Sequence, residues 1–113
     1  MEALNHRKKI VKDLIESIAR MTPPDEFSST QVIIDEKGGH FLLLDLGWQH
    51  KQRIYLPFVH IDVMPDGKVW IQHDGTDLRI AELLAEKGIP KKEMVIGFRA
   101  PHVREHMEGF AVA

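Results

Sequence analysis

Histidine and aspartate side chains are the residues of this sequence whose types could hold a metal ion. His60 and Asp62 are two positions apart, so a strand would place both on one face, while His102 and His106 have the i, i+4 spacing that a helix brings together. Each pair supplies only two ligands, and a protein zinc site uses at least three. A third ligand would have to come from a distant part of the sequence, and no HExxH motif is present. We therefore predict no metal site and no bound cofactor.

Acidic-x-lysine patterns of the kind found in nucleases occur in Asp35-Glu-Lys37 and in Asp66-Gly-Lys68. Both are better explained as turns, because each follows an apolar stretch and lies beside the glycine that a tight turn requires. No glycine-rich phosphate loop, GxSxG elbow or dinucleotide fingerprint occurs. We predict no catalytic residue and no enzymatic activity. The alternative is a metal-dependent nuclease or other hydrolase that uses His60 and Asp62.

The composition indicates a small protein that folds without disulfide bonds. The 113 residues include no cysteine and suit a single domain spanning residues 1–113. The longest uninterrupted apolar runs are Phe41–Leu44 and Phe110–Ala113, which are too short to cross a membrane. The N-terminal region is charged and resembles no export signal. We therefore expect a cytoplasmic protein with no membrane association.

The charge balance argues against strong unassisted binding to DNA. Lys and Arg total 15 against 17 for Asp and Glu, so the chain lacks the positive field that attracts nucleic acid. Arg7, Lys8, Lys9 and Lys12 form a basic group, but acidic residues such as Asp13 share the same predicted helix. We expect DNA contact to be indirect or weak. A DNA-binding recombination directionality factor is the second alternative.

The spacing of apolar residues predicts two helices. An amphipathic helix is expected over Leu4–Met21, with a cap near Asn5, and the two prolines that follow end it. A further helix, capped at Thr76 or Asp77 and running to Lys87, is expected to pack on the sheet.

Strand-like segments joined by short connections predict an α+β fold with a four-stranded antiparallel meander and a short C-terminal strand and tail. Trp48 follows a run of leucines and is expected in the core. The predicted strands are Thr30–Asp35, His40–Trp48, Arg53–Met64, Lys68–His73 and, after the second helix, Met94–Phe98.

The third predicted strand changes its apolar parity part-way along its length. Its apolar residues stand at even positions up to Phe58 and at odd positions from Val59 onward, which a regular strand cannot accommodate. We therefore predict a β-bulge or bend at Pro57-Phe58.

The turn that follows this strand fixes a hairpin register. Gly67 suits the left-handed position of a type I turn with a bulge, which pairs Val63 with Val69 and Ile61 with Ile71. That face is apolar, and we interpret the opposite face as an interface. It carries His60, Asp62, Trp70 and Gln72.

A series of sequence motifs, in a fixed order along nearly the whole chain, carries a family resemblance. They are Phe41–Trp48, Val59–Val63, Asp66–Gln72, Asp74–Asp77, Ile80–Leu84, Gly88–Pro90, Val95–Phe98, Arg99–Glu105 and Phe110–Ala113. With these segments the sequence resembles the XisI family, the fdxN element excision controlling factors of cyanobacteria.

The resemblance implies control of the excision of a DNA element during heterocyst differentiation. It also implies a companion protein, XisH, which looks like a restriction-endonuclease-type fold, and a separate recombinase. No catalytic residue is carried over from the family. We therefore expect a non-enzymatic regulatory or accessory factor.

We expect this factor to bind its XisH-like companion through the polar face of the hairpin and through the Arg99–Arg104 segment. A homodimer formed through a sheet edge or through the same face is also expected, because twofold dimers are the commonest oligomers. The candidate interface residues are His60, Asp62, Trp70, Gln72, Arg99, His102 and Arg104.

Overall fold

The computed structural model describes residues 2–113, which form a five-stranded sheet with the two longer helices packed on one face. The α+β class and the four-stranded antiparallel meander are confirmed. Among these residues, no helix combines the length and apolarity needed to cross a lipid bilayer. The elements are α1 (Glu2–Arg20), β1 (Ser28–Asp35), β2 (His40–Gln49), β3 (Gln52–Val63), β4 (Val69–Asp74), α2 (Ile80–Glu86), a 3₁₀ turn (Lys91–Glu93), β5 (Met94–Ile96) and α3 (Pro101–Arg104).

The first helix provides much of the core. α1 begins at Glu2, where an acidic side chain in the first turn favours the helix dipole, so the expected cap near Asn5 is wrong. The helix ends at Arg20, and the hydroxyl of Thr22 donates a hydrogen bond to the carbonyl of Ile18 (2.8 Å). Its buried residues, at helical spacing, are Ile10, Val11, Leu14, Ile15 and Ile18.

The sheet follows chain order from β1 to β5. The first four strands are antiparallel, whereas β5 runs parallel to β4 and enters the sheet after α2. Alternate residues of β2, β3 and β4 pack against α1 and α2. Trp48 lies near the end of β2 and is 55% exposed, so its expected place in the core is wrong. That tryptophan lies on the sheet face opposite α1 and α2, because its position in β2 has the opposite parity to the core residues Phe41 and Leu43.

The predicted irregularity in β3 is confirmed. Leu43 pairs with Val59 and Leu44 pairs with Pro57, which leaves Phe58 as the extra residue of a bulge. A second irregularity, which the sequence analysis did not predict, follows His60 in the pairing of β3 with β4.

The hairpin turn between β3 and β4 is also confirmed. Gly67 has a φ of 90°, its amide donates to the carbonyl of Met64, and the register pairs Val63 with Val69 and Ile61 with Ile71.

The second helix begins later than expected. α2 starts at Ile80, because the carboxylate of Asp74 accepts hydrogen bonds from the amide and the hydroxyl of Thr76 (2.9 and 2.6 Å) and holds the chain in a turn. Neither Thr76 nor Asp77 is therefore the cap. Gly88, with a φ of 107°, follows the helix as predicted.

The C-terminal segment passes beside Trp70 at Arg104 and then reaches the outer edge of β5. Val95 is buried there and bridges to Ala111, and the amide of Ala111 donates to the carbonyl of Met94 (2.9 Å). α3 ends at Arg104, so His102 and His106 do not share a helix and their predicted helical pairing is wrong.

Candidate functional site

A carboxylate and two imidazoles meet on the sheet face opposite α1 and α2. Asp62 is 6% exposed and is the only polar or charged residue that is buried among residues 2–113. Its Oδ1 lies 2.7 Å from Nδ1 of His40 and 2.8 Å from Nε2 of His60, and its Oδ2 accepts a hydrogen bond from Nε2 of Gln72 (3.2 Å). These four residues, His40, His60, Asp62 and Gln72, are called the Asp62 cluster below.

The two strand irregularities place the Asp62 cluster on this face. The extra residue at Phe58 shifts the alternation of β3, so that Val59 and Ile61 face the helices while His60 and Asp62 face away. The irregularity in β4 leaves Gln72 without a register partner, and its side chain reaches Asp62.

The electrostatics of the cluster favour an ionised carboxylate. Burial raises the pKa of Asp62, but the hydrogen bonds from His40, His60 and Gln72 more than offset burial, so the pKa lies below its ordinary value. The hydrogen bond to Asp62 and then the charge of that carboxylate raise the pKa of His40. The cluster therefore holds a carboxylate charge that its own hydrogen-bond donors stabilise.

The C-terminal segment covers one side of the cluster. Trp70 is opposite Asp62 in the register, and the guanidinium carbon of Arg104 lies 5.1 Å from the centre of the Trp70 ring. Arg104 Nε is buried and has no hydrogen-bond partner within residues 2–113. A Cβ on Gly97 would lie 2.5 Å from Oε1 of Gln72, so the glycine lets the segment approach closely.

An apolar area continues from the cluster along the same face. His60 pairs with Leu42, which pairs with the exposed Ile33. Farther along, Tyr55 is 64% exposed, and the guanidinium of Arg53 stacks on Trp48. We call this surface the open face; it comprises Ile33, Leu42, Leu46, Trp48, Tyr55 and the Asp62 cluster.

Comparison with known proteins decides the family. The family model described as XisI protein matches residues 1–112. The chain belongs to the XisI family. No curated protein matches the chain.

Two solved structures show how closely the XisI fold is kept. An XisI-like protein from Anabaena variabilis is 34% identical, with a TM-score of 0.90 over 97% of this chain and 99% of its own. The fdxN element excision controlling factor XisI from Anabaena variabilis is 28% identical, with a TM-score of 0.86 over 98% of this chain and 99% of its own. The family resemblance read from the sequence is therefore confirmed.

The structure brings together five of the seven residues proposed from the sequence. His60, Asp62 and Gln72 are joined by hydrogen bonds, Trp70 pairs with Asp62 in the register, and Arg104 stacks on Trp70.

The other two residues of that proposal lie apart from the cluster. Arg99 stacks on Phe98 at 5.1 Å, and His102 is exposed. Within residues 2–113, no side-chain hydrogen bond joins either residue to the Asp62 cluster.

Sequence reasoning missed His40, although the signal was present. β2 and β3 are joined by a short connection, so counting back from it gives the partner of each residue. Allowing for the extra residue at Phe58 brings His40 opposite Asp62. The predicted bulge, applied to the predicted hairpin, would have found the third side chain.

Proposed function

We propose that this protein is a non-enzymatic accessory factor in the control of DNA element excision. The observation that carries the proposal is its full-length similarity to the Anabaena variabilis protein named as the fdxN element excision controlling factor XisI. Membership in the XisI family supports the excision role itself. The further claims, that the protein acts in the cytoplasm through an XisH-like companion and without catalysis, are part of this proposal.

The open face is the surface proposed to bind the companion. Exposed aromatic and aliphatic side chains beside polar groups are typical of protein interfaces, where aromatic residues contribute much of the binding free energy. Trp48 and Tyr55 are the exposed aromatic residues of this face. The C-terminal segment already covers Trp70, which moves the centre of the proposed interface from Trp70 toward Tyr55.

The basic residues of α1 support an indirect role at DNA. Arg7 pairs with Glu93 (2.7 Å), Lys9 with Asp13 (3.1 Å), and Lys12 with Glu36 (2.5 Å). Because acidic partners already neutralise these cations, few are free to release counterions from phosphate. A complex with a second protein would supply the DNA contact.

Co-expression with an adjacent XisH-like gene product tests the proposal. Size-exclusion chromatography with light scattering should give one complex of fixed stoichiometry. Tyr55→Ala should weaken that complex at least about tenfold, because truncation of a central aromatic hot-spot residue costs about 2 kcal/mol or more. Leu78→Ala is the matched control, since Leu78 is 39% exposed and lies outside the open face.

Two results would contradict the proposal. Elution of the two proteins as separate species would remove the companion from the scheme. A complex weakened equally by Tyr55→Ala and Leu78→Ala would remove the open face as its interface. Trp70→Ala adds a third measurement. If only this variant weakened the complex, the interface would lie around Trp70 and Arg104 and not around Tyr55.

A metal-dependent hydrolase is the second candidate function, and one observation favours it. His40 supplies, beside His60 and Asp62, the third potential ligand that the sequence did not reveal. Cleavage of plasmid DNA with Mg²⁺, Mn²⁺ or Zn²⁺ that disappears in His60→Ala would establish this activity. Inactivity of the folded wild-type protein with all three ions would reject it.

A further inference from the structure

We propose that His40, His60 and Asp62 form a binding site for a divalent transition-metal ion. The three residues each offer one ligand atom, and these atoms all lie within 4.8 Å of one another. Two neutral imidazoles and a carboxylate suit ions of the zinc, iron and cobalt type, whereas Mg²⁺ and Ca²⁺ prefer sites made of oxygen atoms. The proposal concerns the isolated protein and does not depend on a companion.

The backbone fixes the three ligands in place. His40 and Asp62 are directly opposite in the β2–β3 register, and His60 is two residues before Asp62 on the same strand. All three side chains therefore leave the same face of a paired hairpin, where neighbouring Cβ atoms are about 5 Å apart. A site built on paired strands needs little ordering when the ion binds.

The two carboxylate–imidazole distances are those of hydrogen bonds and must lengthen before an ion can bind. Oδ1 of Asp62 lies 2.7 Å from the His40 nitrogen and 2.8 Å from the His60 nitrogen. Ligands placed about 2.0–2.2 Å from an ion at the tetrahedral angle are about 3.3–3.6 Å apart. An opening of roughly half an ångström to one ångström between the carboxylate and each imidazole would let an ion replace the two imidazole protons that now face the carboxylate.

The surroundings of the three ligands resemble the supporting shell of a metal site. The amide of Gln72 donates to Oδ2 of Asp62 and so orients the carboxylate. Asp62 is buried, whereas His40 is exposed, so the remaining coordination positions open toward solvent. Three protein ligands with open positions leave room for water or for a group from a partner.

Cobalt(II) titration of untagged protein, dialysed first against a chelator, tests the site. Visible absorption and calorimetry should show one Co²⁺ bound per chain, with bands distinct from those of the hydrated ion. His40→Ala and His60→Ala should each weaken binding by at least about tenfold, and Gln72→Leu by about tenfold through loss of carboxylate orientation. His40 is exposed, so His40→Ala should leave the circular dichroism spectrum unchanged; His40→Gln provides a second variant.

His73→Ala is the matched control. His73 pairs with His60 in the register and is exposed, but it is not part of the cluster. Equal Co²⁺ affinity in wild type and His73→Ala, together with the losses at His40 and His60, would support the site. Failure of the wild type to bind one Co²⁺, or binding that persists in His40→Ala and His40→Gln, would overturn it.

Discussion

The buried charge of Asp62 is stabilised by donors that come from three strands, since β2, β3 and β4 each provide a partner. Removal of the carboxylate takes away all three hydrogen bonds. We predict that Asp62→Ala lowers the free energy of unfolding by about 2 kcal/mol, the range for hydrogen bonds to a charged group. Urea unfolding in the presence of a chelator measures this loss without any contribution from bound metal.

The control for Asp62 is the exposed His73 on the adjacent strand. His73→Ala should change the free energy of unfolding by less than about 0.5 kcal/mol, as is usual for a surface substitution. If Asp62→Ala were as mild as His73→Ala, the Asp62 cluster would have no structural role.

Gly39 combines a left-handed backbone with a close contact. Its φ is 78°, and an added Cβ would overlap the carbonyl oxygen of Val63 on β3. Gly109 also has a positive φ, of 87°, but no atom lies within 4 Å of its Cβ position. Because only Gly39 adds overpacking to backbone strain, Gly39→Ala should lower stability by about 1–3 kcal/mol more than Gly109→Ala.

Thermal and urea unfolding of the two glycine variants tests this difference. Both substitutions carry the same backbone strain, so their difference isolates the steric contact. Equal losses of stability in the two variants would mean that the contact between residue 39 and Val63 relaxes without a cost in free energy.

At the scale of elements, one ion pair ties α1 to the far end of the sheet. Arg7 donates to Glu93 (2.7 Å) and to the carbonyl of Gly67 (2.6 Å), so it joins the helix, the β3–β4 turn and the segment before β5. The hydrogen bond from Arg7 lowers the pKa of Glu93 below its ordinary value. The pair therefore stabilises the fold only while Glu93 is ionised.

The depressed pKa of Glu93 predicts a pH dependence. A carboxylate with a lower pKa in the folded state contributes its full stabilisation above its ordinary pKa of about 4.3 and loses it as the pH falls through the lower folded value. The stability difference between wild type and Glu93→Gln should therefore be largest near pH 6 and shrink toward pH 3. Urea unfolding at several pH values measures it.

The exposed Glu105 provides the control for Glu93. Its replacement, Glu105→Gln, should show a small stability difference that changes little over the same range. A difference for Glu93→Gln that grew as the pH fell would contradict the assigned pair.

The hairpins of this fold were the predictable elements. Short connections and alternating apolar residues gave β1 to β4 within two residues of their ends, and the parity change gave the bulge at Phe58. The start of α2 was missed because Asp74 captures Thr76 in a turn, a competition that helix spacing does not reveal. The direction of β5 depends on how the chain returns after α2, and no local pattern encodes that path.

The candidate site was predictable in part for the same reason. His60, Asp62, Trp70 and Gln72 belong to one hairpin, whose turn fixed their face. His40 required the register of a second hairpin and its bulge together. Trp48 is exposed because it faces away from α1 and α2, and a run of leucines does not show which residues of β2 face the helices.

At the scale of the whole molecule, the open face predicts self-association when no companion is present. We expect the weight-average mass from light scattering to rise with protein concentration toward that of a dimer, because exposed apolar side chains gain by leaving water. Tyr55→Arg should suppress this rise by adding a charge to the face. Leu78→Arg, outside the open face, should leave it unchanged.

A constant monomer mass over the whole concentration range would refute self-association. A rise that both arginine variants share would place the contact elsewhere, with the unpaired edge of β1 as the next surface to test.

The parallel pairing of β5 has a consequence for the order in which the molecule is completed. Strands β1 to β4 are joined by short hairpins, whose contacts are local in sequence and form early. β5 and the segment that bridges to Val95 follow β1 to β4 in the chain and therefore leave the ribosome after them. Until β5 has been synthesised, Trp70 and the outer edge of β4 remain uncovered, so the sheet is completed only after the meander has left the ribosome.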